Sequence, residues 1–282
     1  MRNHPRLWVA IPDSLLSDAS TLREKTVKVG AIGRALAIFM VERVYIYTDE
    51  RGSHSRDGML IRHLLEYMET PQYLRKRLFP RSDSLSFAGL LPPLRTPHHK
   101  LEVSPESIRV GEYREGVSVP KGGQRLVDVG LAELVPIDGE VKAGTRVTVV
   151  FTSSYPDLRC RVVNKDATGE YWGYEVRVAP SLLHLIRSEK PDLLLMTSRR
   201  GRPLSTIWRE LLDEIGKAKT AMLVFGSTRR GLFEILRDEN SDPNLLSKYV
   251  VNTIPNQGTF TVRTEEALLS TLSVVNFLLG IR

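Results

Sequence analysis

Hydrophobic and polar positions fall on two different periods along this chain. Leu7-Trp-Val-Ala-Ile11 is a short apolar run that reads as a buried strand. From Ser20 to Met40 the period becomes helical, with Ala31, Ala35, Ile38 and Phe39 available for one face. Val44-Tyr-Ile-Tyr47 is β-rich and is closed by Asp49-Glu50. Asp57 is placed to cap a second helix through Met59, Leu60, Leu64, Leu65 and Met68. Strand, helix, strand, helix is the opening of a parallel α/β sheet.

The pattern changes near Leu91-Pro-Pro-Leu-Arg-Thr-Pro97. From His98 to Pro180 short β-rich pieces are separated by Gly and turn residues. They are Gly116–Val119, Gln124–Val129, Arg146–Phe151, Arg161–Val163 and Tyr171–Val178, a spacing that suits a small antiparallel barrel. Helix and strand alternation then resumes. Asp192–Met196, Thr220–Phe225 and Lys248–Val251 read as strands. Ser205–Ile215, Arg229–Leu236 and Thr264–Leu279 read as helices. The expected organisation is a discontinuous α/β domain, residues 1–96 and 181–282, interrupted by an all-β insertion at 97–180.

Composition narrows the classes. The 282 residues are 41% hydrophobic and 26% charged, enough to bury a sizeable core. One cysteine, Cys160, excludes an internal disulfide or a zinc site of several cysteines. No apolar run is long enough for a membrane span, and no long apolar stretch follows the first six residues, so a cytoplasmic location is expected. The net charge is +7, with 29 Arg and 11 Lys. A GC-rich genome or a hot habitat would also enrich arginine, but the positive excess favours a polyanion such as nucleic acid. Residues 97–180 carry −1 and the remainder +8, so that excess lies on the α/β part.

Three segments follow the three C-terminal strands: Thr197-Ser-Arg-Arg-Gly-Arg-Pro203, Gly226-Ser-Thr-Arg-Arg-Gly231 and Asn252-Thr-Ile-Pro-Asn-Gln-Gly-Thr259. Ligands of open α/β sheets bind beyond the carboxyl ends of the strands, and small residues let the backbone approach them. Any one of these loops is readily a plain turn; three on successive strands point to a site. Thr264 caps the following helix, and Glu265 and Glu266 in its first turn suit the helix dipole better than catalysis.

Other sites are weak. Gly30-Ala-Ile-Gly33 is not a dinucleotide fingerprint, and no phosphate-binding GxxxxGK[ST] exists. Adjacent His98 and His99 would point to opposite faces of a strand, a poor metal pair, so no metal is expected. Cys160 reads as a small buried residue. Arg75-Lys-Arg77 with Arg81 suits a solvated surface as well as RNA. Arg199, Arg200 and Arg202, with Arg229 and Arg230, lie in the ligand loops and favour RNA phosphates. Tyr171, Trp172 and Tyr174 offer rings for unpaired bases, Trp172 above all, although alternation assigns some of the three to the core.

Gly226–Gly231, Val251–Thr259 and Thr261-Val-Arg-Thr-Glu-Glu-Ala-Leu-Leu269 together resemble the SPOUT class of RNA methyltransferases. Val29–Phe39, Leu91–Leu94 and Pro97-His-His99 are similar to its archaeal and eukaryotic family with an OB-like barrel inserted in the catalytic domain. The resemblance spans nearly the whole chain. It implies a deep trefoil knot in the C-terminal part, a homodimer, and S-adenosylmethionine held by the three loops. Thr197, Gly226, Ser227, Ile254, Asn256, Gln257 and Gly258 are the cofactor contacts it implies. The last helix offers Leu268, Leu272, Val275 and Leu279 as an apolar stripe, either for the dimer or for its own sheet.

The resemblance favours N3 of a uridine in ribosomal RNA as the methyl acceptor, with base N1 and ribose 2′-O as other outcomes of the class. A non-catalytic RNA-binding or ribosome-assembly protein that keeps the cofactor pocket is the alternative. Gly30–Arg34 also resembles the first motif of ribose-methylating members, which makes Arg34 the candidate catalytic residue. Three roles are open to it: a surface ion pair, a phosphate clamp, or stabilisation of the nucleotide anion.

Overall fold

A computed structural model describes residues 4–50, 56–101, 104–119 and 121–281. In chain order the elements are β1 (Arg6–Pro12), α1 (Leu22–Ile38), β2 (Val41–Tyr47), α2 (Arg56–Glu69), α3 (Gln72–Leu78), β3 (Tyr113–Ser118), β4 (Leu126–Asp128), β5 (Val135–Asp138), β6 (Arg146–Phe151) and β7 (Cys160–Val163). Then follow β8 (Glu175–Ala179), α4 (Leu182–Glu189), β9 (Leu193–Pro203), α5 (Leu204–Lys217), β10 (Thr220–Val224), α6 (Leu232–Asp238), α7 (Pro243–Leu246), β11 (Tyr249–Asn252) and α8 (Thr264–Gly280). The chain divides into two compact units. One holds Met1–Glu66, Asp83–Pro93 and Tyr174–Arg282; the other holds Tyr67–Ser82 and Leu94–Gly173.

The first unit is built on a six-stranded sheet in the order β11-β9-β10-β1-β2-β8. All five pairings are parallel. Parallel strands covered on both faces need continuous apolar sequence, and β1 and β10 have it. On one face Trp8, Tyr45, Met196, Met222 and Val250 pack with Leu182 and Leu185 of α4 and Ile235 of α6.

α1 starts at a capping box: the Glu24 N–H donates to Thr21 Oγ1, and the Glu24 carboxylate accepts from the Thr21 N–H. The inward face of α1 is Val29, Ile32, Gly33 and Leu36. Ala31 and Ile38, expected inside, are exposed. Asp57 lies in the first turn of α2, where its carboxylate pairs with Lys25 at 2.6 Å.

Two expectations change here. The segment expected among the barrel strands, Tyr171–Val178, instead supplies β8, which pairs with β2 from Arg43↔Glu175 to Tyr47↔Ala179. Glu175 and Arg177 suit it to a sheet edge, where charge discourages further pairing. The stripe Leu268, Leu272, Val275 and Leu279 is buried within its own chain, so it is core and has no surface left for a partner.

The second unit is a closed five-stranded barrel in the order β3-β4-β5-β7-β6. Its pairings are antiparallel except for β5 with β7. Val127, Val135, Ile137, Val149, Phe151 and Cys160 fill it. The Cys160 thiol is pushed up to about 12 by burial, which keeps it inert.

A buried polar cluster also belongs to this unit. Arg146 pairs with Glu69 and, at 2.6 Å, with Glu115. Thr148 and the Trp172 indole N–H each donate to Glu115 at 2.6 Å. His98 and His99 both reach the Glu69 carbonyl oxygen, at 2.9 and 2.8 Å, with their rings edge to face. They lie at a turn, so the strand geometry expected to separate them does not apply. Among the described residues no group of three or more His, Cys, Asp or Glu side chains could hold a metal ion.

The basic cluster at 75–77 is structural in two of its members. Arg75 donates to the carbonyls of Met68 and Thr70 and lies over the Tyr67 ring, and Arg77 pairs with Asp128.

Candidate active site

The site lies in the first unit, beyond the carboxyl ends of β9, β10 and β11. The first loop is a departure from sheet register. Met196 of β9 faces Val250 of β11, yet Val251 faces Arg202, so residues 197–201 loop out between two paired stretches of one strand. Gly201 permits this: a Cβ there would lie 2.6 Å from the Val251 carbonyl carbon. Thr197 at the start of the loop donates its hydroxyl to the Val224 carbonyl at 2.9 Å.

The second loop is folded on itself. The Ser227 N–H donates to the Arg230 carbonyl at 2.9 Å, and the Arg230 N–H returns a bond to Ser227 Oγ at 3.1 Å. A Cβ on Gly226 would lie 2.9 Å from the Arg230 oxygen, so a side chain there would disturb the loop before it met a ligand. The third loop is tied to the first. The Asn252 amide donates to the Arg199 carbonyl at 3.2 Å, and Arg199 Nη1 donates to the Phe260 carbonyl at 2.8 Å.

The loops enclose an open cleft of about 360 Å³. Of the expected cofactor residues, Thr197, Gly226, Ser227, Ile254 and Gln257 line it, whereas Asn256 and Gly258 do not. Arg199, Arg200, Arg229 and Arg230 line it too, and Arg202 does not.

The arginines are already engaged. Arg200 pairs with Glu234 at 3.0 Å and lies 5.8 Å over the Phe233 ring. Arg229 donates weakly to the Ser17 carbonyl at 3.4 Å. Arg230 donates to the Asp49 carbonyl at 2.6 Å and pairs with Asp238, so it braces the loop. Arg202 pairs with Glu210 at 3.7 Å. Arg34 is not among the residues that line the cleft; its guanidinium donates to the Pro93 carbonyl at 3.0 Å.

Trp172 is corrected outright. At 6% exposure, with its N–H on Glu115, it has no free face for a base.

Several participants escaped sequence reasoning. The Thr264 side chain does not cap α8, because the cap position is Arg263; its hydroxyl instead donates to the Gly226 carbonyl at 3.0 Å. Asp13 and Asp49 are buried together where β1 and β2 end, at 2% and 5% exposure. Burial and a hydrogen bond with Asp13 raise the Asp49 carboxyl to about 6, against the pull of Ser14. Tyr47 donates its buried hydroxyl to the Phe225 carbonyl at 2.6 Å, just before the second loop. Phe260 lines the cleft from a Gly-Thr-Phe-Thr stretch that has no periodicity to reveal it.

This arrangement, polar backbone loops around a small-molecule cleft with arginines at its edge, suits a group donor next to a polyanion. A family model described as "Putative RNA methyltransferase" matches residues 6–275. The chain belongs to this RNA methyltransferase family. Curated relatives include the 28S rRNA (uridine-N(3))-methyltransferase of Homo sapiens, 34% identical over 95% of this chain and 77% of that protein. The mouse protein of the same name is 33% identical over 95% of this chain and 75% of its own length. An uncharacterized protein of Haloarcula marismortui is 34% identical over 94% of this chain and 96% of that protein. Membership makes the chain an enzyme that transfers a methyl group to RNA. Among the described residues no helix is long and apolar enough to cross a membrane.

Proposed function

We propose that this chain is an S-adenosylmethionine-dependent enzyme that methylates N3 of a uridine in large-subunit ribosomal RNA. The observation that carries the reading is the cleft made by the loops after β9, β10 and β11, in a chain of an RNA methyltransferase family. The atom and the RNA follow the activity named for the human and mouse relatives. On this reading the sheet unit is a SPOUT fold with a trefoil knot, and the barrel is OB-like and helps select RNA. The protein works in the cytoplasm as a homodimer.

The residues present fit the donor. A cavity of about 360 Å³ is within the range of small-ligand sites. The Thr197, Ser227 and Gln257 side chains donate to the carbonyls of Val224, Arg230 and Thr259, which sets the loops so that main-chain groups can meet adenine and carboxylate. Asn256 and Gly258 flank Gln257 at the edge of that pocket. When bound, the donor supplies a methyl group on a positively charged sulfur.

The protein's own task is to orient the base and control its proton. Uridine N3 must lose its proton before its electron pair can attack, and a fixed cation nearby stabilises the anion. We assign Arg34 that role; since it lies outside its own cleft, it serves the cleft of a second copy. A guanidinium stays protonated and is therefore a stabiliser and not the base. Arg199, Arg200 and Arg229 at the exposed edge hold phosphates, while Arg202 and Arg230 contribute positive field. For the dimer, α8 leaves Leu269 and Phe277 exposed, eight residues apart and so on one face, with Ile281 just beyond.

The test is methyl transfer from tritiated donor to total ribosomal RNA. The reading requires incorporation. RNA binding without incorporation, with donor still bound, would make the protein a non-catalytic binding or assembly factor.

A further inference from the structure

Phe260 is 94% exposed, the most exposed large hydrophobic side chain described, and it lines the cleft. A lone exposed hydrophobic side chain is ordinary on a protein surface, but this one is set in the lining of the cleft among arginines. Its backbone is not loose. The Phe260 carbonyl accepts from Arg199 Nη1 at 2.8 Å and from Gln257 Nε2 at 3.4 Å. Gln257 Nε2 also donates to the Thr259 carbonyl at 2.8 Å. The ring is thus carried on a braced loop and aimed away from the core.

Its surroundings indicate what covers it. The cleft also holds Arg199, Arg200 and Arg229, all exposed, which attract phosphate and disfavour a purely apolar partner. A ligand that offers a flat π face together with negative charge is an unpaired nucleotide. A base methylated on a ring atom that takes part in pairing must leave its helix, and it then needs a new stacking surface.

We propose that Phe260 is the stacking platform for an unpaired nucleobase of the RNA substrate, set at the mouth of the methyl-donor cleft by the bond from Arg199 to its carbonyl. This rests on the reading that the cleft methylates RNA. It adds a base subsite separate from the donor contacts and from the phosphate contacts.

Phe260→Trp places a reporter at the position. Trp8 and Trp172 are buried and add a steady background, and half-buried Trp208 is replaced by Phe in the reporter and in its control. An eight-nucleotide oligouridylate should quench the new emission saturably, and an abasic oligomer of equal charge should not. In single-turnover methylation of ribosomal RNA, Phe260→Ala should be about ten- to hundredfold slower, with donor affinity unchanged within about twofold. Phe260→Trp should restore the rate, and Phe260→Leu should not.

Equal quenching by the abasic oligomer overturns the proposal, as does a Phe260→Ala rate equal to wild type. Emission that shifts with protein concentration alone also overturns it, because the ring is then covered by a second copy. Failure of wild-type protein to methylate RNA would sink the proposed function instead, while the quenching comparison would still decide the base subsite.

Discussion

The hydroxyl of Thr264 donates to the carbonyl oxygen of Gly226 at 3.0 Å. This bond joins the first turn of α8 to the loop after β10. It fixes which way the Gly226 peptide faces at the wall of the cleft, and both residues line that cleft. Thr264→Val keeps the shape and removes the donor. Donor affinity should fall by roughly 0.5–1.5 kcal/mol, about two- to tenfold in Kd, by calorimetry. An unchanged Kd would show that the bond does not set the pocket.

Trp172 separates a core role from an RNA role. Trp172→Phe removes the indole N–H that satisfies buried Glu115. A bond to a charged group contributes about 1.5–3 kcal/mol, so chemical denaturation should show a loss of that order. RNA affinity measured well below the unfolding transition should not change. Weaker RNA binding by a fully folded variant would return Trp172 to the interface.

Acid should destabilise the barrel unit. Burial alone would raise the Glu69 carboxyl, but the Arg146 charge and the His98 hydrogen bond outweigh it and hold it at about 2. Its contribution is present above about pH 4.5 and is lost as pH falls towards 2. Burial and neighbouring His98 lower His99 to about 4, so the neutral ring stabilises above about pH 6.5 and that stability is lost as pH falls through 4. Asp49, raised to about 6, acts in the opposite sense: its contribution is fully present below about pH 3.8 and is lost as pH rises through 6. Glu69→Gln should remove part of the acid sensitivity and lower stability at pH 7, seen as a flatter plot of denaturation midpoint against pH. An unchanged slope would contradict the role given to Glu69.

The proposed dimer and the proposed role of Arg34 can be tested together. Phe277 is 68% exposed on α8, and Phe277→Glu should shift the mass by light scattering from dimer to monomer. If Arg34 serves the cleft of a second copy, Arg34→Ala should lose turnover and keep donor affinity. Mixing it with Gly226→Leu, whose second loop is distorted, should restore about a quarter of wild-type activity through mixed dimers. No recovery in demonstrably mixed dimers would place Arg34 outside the reaction.

The parallel sheet was legible because β1, β9 and β10 are apolar runs divided by polar turns, and the three loops were legible from their Gly, Ser and Asn content. Periodicity could not choose the helix phase of α1: Ala31 and Ile38 are apolar yet exposed, because small or apolar residues lie on more than one face. β8 was hidden for a similar reason. Its alternation fits a barrel as well as a sheet edge, and only the pairing with β2 decides. Trp172 lies beside Glu115 in space and 57 residues away in sequence, so no local pattern could show that its ring is used. Asp13 and Asp49 are 36 residues apart and meet only because β1 and β2 are neighbours.

The atom that receives the methyl group decides which reaction this cleft performs. Ribosomal RNA labelled by this protein with tritiated S-adenosylmethionine should be digested to nucleosides and separated against standards. The label is expected to travel with 3-methyluridine. Label in a 2′-O-methylated nucleoside or in an N1-methylated base would contradict it.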